Sequence, residues 1–190
     1  GDLYWKPEFN KTAIEFDLEQ ANALLDGVGL DQKDAEGYRL RPDGERLELL
    51  ITCYPSEMGV PVIDIFNKIA EYWDTNLSIK TTAEEVERSL WSERARAGDL
   101  MMPGYGIANA LWVIDPLWFV PTSPSTYWAG LYGTWYATGG KGGEEPPAEF
   151  MNLIDNYEKL KAEPDAAKQL EYGQAILAQH DQNGYVIGIV

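Results

Sequence analysis

Residues 46–80, RLELLITCYPSEMGVPVIDIFNKIAEYWDTNLSIK, decide the fold class. The run over 46–54 is rich in leucine and isoleucine and predicts a buried strand, which Pro55 ends. Apolar residues then recur along one stripe and predict a helix over 62–75. Residues 77–80 alternate as a short second strand. A strand, a helix and a strand in this order favour an α/β fold with parallel pairing.

The rest of the chain continues this alternation. In chain order, the further predicted elements are a helix from Asp17 to Gly27, a helix over 82–97, a strand over 100–102, helices starting at Pro147 and at Pro164, and a strand over 185–190. The first helix has its predicted apolar face at Leu18, Ala21, Leu24, Leu25 and Val28. The length and the 45% of hydrophobic residues predict one folded domain over residues 1–190.

The composition excludes several classes of protein. The chain has 15 Lys and Arg against 31 Asp and Glu, so a nucleic-acid partner is not expected, because phosphate binding needs clustered cations. One cysteine excludes an intrachain disulfide and a multi-cysteine zinc site, and one histidine excludes a polyhistidine metal centre. We therefore expect no metal and no cofactor. No apolar run approaches the roughly 18 residues that a membrane span requires.

Residues 100–140 differ in kind from the rest. They hold four tryptophans and several tyrosines, but one acid, Asp115, and no Lys or Arg. The aromatic side chains have two interpretations, a packed core or a ligand-facing surface on which one to three of them contact the ligand. Asp115 also has two interpretations. It is either a residue that points into a cleft or a turn residue before Pro116.

Catalytic signatures are weak, and we predict a protein that is not an enzyme. Cys53 and His180 are the only possible thiol–imidazole pair, and a buried structural cysteine is the preferred alternative. Neighbouring acids, such as Glu84 and Glu85, allow a hydrolase as a minor alternative. In a chain with 31 acids such neighbours are expected on solvated helix faces.

Residues 16–29, FDLEQANALLDGVG, resemble a segment of the family 5 extracellular solute-binding proteins, Asp-x-Glu-x-Ala-x-x-Leu-Leu-Asp-x-x-Gly. These are the oligopeptide, dipeptide and nickel receptors of bacterial ABC importers. Further matches follow in the family's order: Asp43-Gly44, the helix over 62–75 with Leu77-Ser78-Ile79, Ala97-Gly98-Asp99-Leu100, Tyr105-Gly106 and Asp115-Pro116. The resemblance spans nearly the whole chain from Asp17 onward.

This resemblance implies a periplasmic-binding-protein-like lobe of type II, with a mixed sheet flanked by about five helices. It implies further that the chain is a piece of a longer protein, the C-terminal lobe of a two-lobe receptor that closes around its solute. In relatives, an aspartate shortly after the Trp-Gly step can hold a peptide's amino group. Here Asn109 stands in that region, and its side chain can hydrogen-bond but carries no charge. The candidate ligand contacts are Tyr105, Asn109, Trp112, Asp115 and Trp128.

The predicted function is the solute-binding component of a bacterial ABC importer, which takes up a peptide or another small polar solute. Its expected partners are the solute and, through the full-length receptor, an ABC permease. The expected location is periplasmic or extracellular, with or without a lipid anchor on the full-length protein. The alternative is a stand-alone carbohydrate-binding module, because such modules are also rich in aromatic residues.

Overall fold

The computed structural model describes residues 3–9, 14–55, 61–105 and 112–187. Their contacts divide the chain into two compact units. The sheet unit comprises Glu15–Arg94 and Asp99–Gly106, and the helical unit comprises Gly1–Ile14, Ala95–Gly98 and Ile107–Val190. That residues 1–190 form a single lobe stays a prediction.

Helices and strands alternate along the first half of the chain, and helices follow in the second half. Within the described residues the elements are α1 (Leu18–Gly27), β1 (Glu48–Cys53), α2 (Val62–Leu77), β2 (Lys80–Glu85), α3 (Arg88–Ala97), β3 (Met102–Pro103), a 3₁₀ turn (Pro116–Trp118), α4 (Gly130–Thr138), α5 (Ala148–Ala162) and α6 (Ala166–Asn183). The predicted α/β class is confirmed.

The three strands form one sheet in the order β2-β1-β3. β1 pairs with both neighbours in parallel, in a register that sets Cys53 opposite Glu85 and Ile51 opposite Met102. The predicted mixed sheet is therefore wrong for the described residues, where the sheet is parallel throughout. The reason is the connection by α2, since a helical crossover returns the chain to the same direction.

The stretch between α2 and α3 departs from the sequence prediction. β2 extends through Glu84 and Glu85, which were predicted for the first turn of a helix starting at Thr82. The β-branched residues around Thr82 favour a strand, and pairing with β1 fixes it there. α3 begins later, because the Glu87 carboxylate accepts the backbone N–H of Ser89 at 2.8 Å and so satisfies a donor of the first turn.

α1 begins as predicted, but its exposed side is more apolar than predicted. Asp17 is the N-cap, and its carboxylate accepts the N–H of Gln20 at 2.9 Å. Leu18 is half-buried, as its place on the predicted apolar face requires. Leu24 and Val28 were predicted on the same face but are 65% and 70% exposed.

The helical unit has its core between α5 and α6. Both helices begin and end close to the predicted positions. Residues 100–140 are not a continuous loop as predicted, because they contain α4 and the 3₁₀ turn. The core cluster consists of Trp112, Val120, Leu153, Ile154, Tyr157, Leu160 and Ile176. Of the strand predicted over 185–190, the described residues 185–187 form no strand, and the remainder lies outside the described residues.

A buried cation, Arg39, ties the helices of the sheet unit together. Its side chain is 2% exposed. The guanidinium donates to the Asp26 carboxylate at 2.5 Å, to the Asn22 side-chain oxygen at 2.8 Å, and to the carbonyl oxygens of Leu77 at 2.8 Å and of Leu30. These acceptors lie in α1, just after it, and at the end of α2, so one side chain fixes both helices.

We expect the substitution Arg39→Met to lower the free energy of unfolding by about 2–4 kcal/mol, because part-buried carbonyl groups would lose their donors. Urea unfolding followed by circular dichroism measures the change. The control is Arg41→Met, which removes an exposed ion pair with Asp43 and should change the stability far less. Equal losses for the two variants would contradict the role given to Arg39.

Candidate functional site

The candidate site is the edge of the sheet unit at which the parallel strands end. Tyr54 directly follows β1, Glu85 ends β2, and Tyr105 follows β3 two residues after its end. Parallel strands present their carboxyl ends at one edge, and open α/β sheets bind ligands outside that edge. The structure thus places one predicted contact, Tyr105, at the position where this architecture binds ligands.

Trp91 of α3 is the centre of this edge. Its side chain is 1% exposed, and its indole N–H donates to the carbonyl oxygen of Thr52 at 2.8 Å. The ring centroids of Tyr54 and Tyr105 lie 4.9 and 5.4 Å from the Trp91 ring, both in edge-to-face geometry. Because Trp91 is anchored to the strand, the two half-buried tyrosine rings have a fixed support. We call Tyr54, Trp91 and Tyr105 the aromatic edge.

The position of Tyr105 is fixed from the other side by the residue before it. Gly104 donates its N–H to the carbonyl oxygen of Thr52 at 2.9 Å. A Cβ at Gly104 would lie 2.5 Å from the ring of Phe66 in α2, so any larger residue here would force that ring to move. β3 and α2 therefore pack tightly at the point where the chain leads into Tyr105.

Two acids near the aromatic edge, Glu84 and Glu87, are engaged inside the chain. Glu84 accepts the hydroxyl of Thr52 at 2.9 Å and pairs with Arg94 at 3.2 Å. Hydrogen bonds from the hydroxyl and N–H of Ser89 lower the pKa of Glu87. The guanidinium of the exposed Arg88 lies 5.4 Å from the centroid of the Tyr54 ring, a cation–π distance.

Sequence reasoning missed three of these residues. Tyr54 was taken as the last residue of a strand, while Trp91 and Arg88 were assigned to a helix without any role. A signal was present, because aromatic residues follow or accompany the carboxyl ends of two predicted strands. Because the sequence prediction began the helix at Thr82, it assigned residues 82–85 to that helix. In the structure these residues belong to β2, and α3 begins only at Arg88.

The other predicted contacts belong to the helical unit or lie outside the described residues, as Asn109 does. Trp112 is 4% exposed and packs in the core of that unit. Trp128 is half-buried, donates its indole N–H to the carbonyl oxygen of Leu117 at 2.9 Å, and stacks on Tyr185. Their part in ligand binding stays a prediction.

Asp115 is exposed and stands at the N-cap position of the 3₁₀ turn that begins with Pro116. This is the place that the turn interpretation predicts for it. Its charge acts on Tyr157 of α5, whose pKa is raised mainly by burial and to a smaller extent by nearby carboxylates. Contact between Asp115 and a ligand stays a prediction.

His180 lies in an aromatic cluster of the helical unit. The centroids of Phe119, Trp128 and Tyr185 are each 5.3 or 5.4 Å from its imidazole ring. Its Nε2 lies 2.7 Å from the carbonyl oxygen of Phe119, so Nε2 carries the proton that it donates. Burial lowers the pKa of His180, and the ring is held neutral.

Cys53 has the surroundings of a structural thiol. It is fully buried at the end of β1. Burial, together with the charge of Glu85, raises the pKa of the thiol to about 11. At neutral pH the group stays protonated, so it lacks the thiolate that nucleophilic catalysis needs.

The described residues were also compared with the requirements of a metal site and of a membrane span. Among residues 3–9, 14–55, 61–105 and 112–187, no group of three His, Cys, Asp or Glu side chains is arranged to hold a metal ion. In the same part of the chain, no helix combines the length and the apolar character that a membrane span requires.

Solved structures resemble the chain over nearly all of its length. The oligopeptide-binding protein OppA is 30% identical to it, with a TM-score of 0.84, and the match covers 98% of this chain and 31% of OppA. OppA is a family 5 solute-binding protein. The chain matches part of a family 5 solute-binding protein in fold and in sequence.

More distant solute-binding proteins share the fold. The periplasmic binding protein MelB from Agrobacterium fabrum, solved with stachyose, is 18% identical, with a TM-score of 0.71 over 91% of this chain and 25% of MelB. A periplasmic oligopeptide-binding protein from Thermotoga maritima, solved with mannohexaose, is 18% identical, with a TM-score of 0.63 over 96% of this chain and 32% of that one. The chain therefore spans about a third or less of these proteins. No protein-family model and no curated protein matches the sequence.

We expect Cys53 to be unreactive in the folded protein. At about pH 8 a thiol with a pKa of about 11 is only about one thousandth thiolate, and burial blocks the reagent as well. Ellman's reagent should report no measurable release with folded protein and one thiol per chain after unfolding in guanidinium chloride. The variant Cys53→Ala gives the background. Rapid, stoichiometric reaction of the folded protein would contradict this description of the thiol.

We expect the helical unit to lose stability as the pH falls below about 6.5. The unfolded chain takes up a proton at His180 near this pH, whereas the folded chain resists it because its pKa is lowered. Stability is therefore complete above this pH and declines toward the folded pKa. Thermal unfolding between about pH 7 and pH 5 should show a shallower decline for His180→Gln, whose amide can still donate to Phe119. Equal pH slopes for both proteins would refute the assignment.

Proposed function

We propose that the chain is the C-terminal lobe of the solute-binding component of a bacterial ABC importer. The observation that carries the proposal is the match to the oligopeptide-binding protein OppA over 98% of the chain. Binding would occur by closure of this lobe and a second lobe around the solute, with contacts from both. The solute would be a peptide or another small polar molecule.

The position and packing of the aromatic edge also support the proposal. It lies at the carboxyl ends of parallel strands, and its half-buried tyrosine rings pack on Trp91, whose indole N–H is hydrogen-bonded to the carbonyl oxygen of Thr52. Such preformed surfaces bind ligands at a lower entropic cost than flexible ones. We propose Tyr105 as a direct solute contact and keep Asn109, Trp112, Asp115 and Trp128 as further predicted contacts.

The proposed partners are the solute and an ABC permease, which the full-length receptor would meet in the periplasm or outside the cell. We propose no catalytic step. Of the neighbouring acids Glu84 and Glu85, Glu84 forms an ion pair with Arg94 at 3.2 Å. The neighbours named above are binding proteins by their own descriptions.

A stand-alone carbohydrate-binding module is the alternative, and the aromatic edge is the feature that favours it. The match of nearly the whole chain to about a third of a larger binding protein speaks for the importer component instead. The two proposals differ in what the isolated chain does. A module binds its glycan alone, whereas half of a cleft binds weakly or not at all.

The test is calorimetry on the full-length receptor with a panel of peptides and oligosaccharides. We expect Tyr105→Ala to weaken binding about tenfold, since removing a contacting aromatic ring costs roughly 1–2 kcal/mol. The matched control is Tyr72→Ala, a half-exposed tyrosine of α2 that packs on Phe16. If a solute binds and Tyr105→Ala leaves its affinity unchanged, the site assignment fails. If the isolated chain binds as tightly as the receptor, the module is the better description.

A further inference from the structure

Trp91 has the features of a residue that positions other side chains rather than one that meets a ligand. Its side chain is 1% exposed, so a solute at the carboxyl edge of the sheet would not reach the indole ring. Its indole N–H donates to the carbonyl oxygen of Thr52 at 2.8 Å, a bond between residues 39 apart in the chain. A core position that needs only volume can be filled by phenylalanine or leucine, but neither side chain can donate this hydrogen bond.

Both tyrosine rings of the aromatic edge pack against Trp91. Tyr54 follows β1 and Tyr105 follows β3, and the centroids of their rings lie 4.9 and 5.4 Å from that of the indole. The interplanar angles are 68° and 66°, so each tyrosine meets Trp91 in edge-to-face geometry. Because the aromatic residues of two strands contact the same indole, a change in the orientation of the indole changes the support of both rings.

α3 is attached to the sheet by other bonds as well. The Glu87 carboxylate accepts the N–H of the first turn of the helix, and Arg94 pairs with Glu84 of β2 at 3.2 Å. Glu84 in turn accepts the hydroxyl of Thr52 at 2.9 Å. These bonds hold the helix in place without the indole N–H, so the hydrogen bond of Trp91 chiefly fixes the rotamer of its own ring.

We infer that Trp91 is a positioning residue of the solute site, which contacts no solute but holds Tyr54 and Tyr105 in the orientation that binds. This inference rests on the proposed function, because it names a residue on which the same site depends. Binding sites need their contact groups within about 0.5 Å of the productive position, and supporting residues with locked rotamers provide this precision. Rings that are free to tilt have to be ordered when the solute binds, and the lost entropy weakens binding.

The experiment is calorimetry on the full-length receptor, with peptides of three to five residues and malto-, cello- and manno-oligosaccharides as probes. We expect Trp91→Phe to weaken binding of the tightest-binding probe about five- to tenfold, because the loosened tyrosine rings have to be ordered. The matched control is Ile79→Ala, which alters a buried residue just before β2, at the amino end of the sheet. This variant is also less stable, but its affinity should stay within about twofold at a temperature at which all variants are folded.

A double-mutant comparison separates positioning from an independent effect of Trp91. In a receptor that carries Tyr105→Ala, only one of the two supported rings remains, so adding Trp91→Phe should weaken binding by no more than about threefold. A loss as large as in the unchanged receptor would mean that Trp91 acts independently of that ring, and would overturn the inference.

If Trp91→Phe fails to fold, which circular dichroism would show, 3-benzothienylalanine at position 91 repeats the test. This amino acid keeps the shape of the indole and replaces only its N–H by sulfur. Binding that is as tight without the N–H as with it, or that Ile79→Ala weakens equally, would overturn the inference and leave the proposed function standing. If the receptor binds none of the probes, the proposed function itself is overturned.

Discussion

The backbone carbonyl of Thr52 is the point on which the sheet unit depends. Its oxygen accepts the indole N–H of Trp91 and the backbone N–H of Gly104, which uses both lone pairs of one buried group. The Thr52 hydroxyl donates to Glu84, which Arg94 holds in turn. One residue of β1 thus fixes β2, β3 and α3 together. The residues that follow the strands are presented from a rigid support for this reason.

The charged residues are distributed unevenly along the chain. The chain carries 15 Lys and Arg against 31 Asp and Glu, yet residues 100–140 contribute only Asp115 to these totals. Most acids therefore lie outside this stretch, and near the aromatic edge Glu87 serves as a cap and Glu84 as an ion-pair partner.

Sequence reasoning reached the α/β class, the parallel pairing of β1, and the bounds of α1, α5 and α6, because caps and apolar periodicity are local signals. It failed between residues 78 and 88, where pairing with β1 overrides the charge pattern that suggested a helix. It reached Tyr105 through a resemblance but missed Trp91, because a helical tryptophan gains its role only from a carbonyl 39 residues away. Local sequence patterns do not indicate contacts between residues that are this far apart in the chain. The fold was therefore more predictable than the site.

The central claim is that the carboxyl edge of the sheet is a ligand-binding surface in the full-length receptor. A crystal structure of that receptor with its solute bound tests this claim most directly. The account predicts solute atoms within about 4 Å of the rings of Tyr54 and Tyr105, with the indole N–H of Trp91 still bonded to Thr52. A bound solute that contacts neither tyrosine would contradict it.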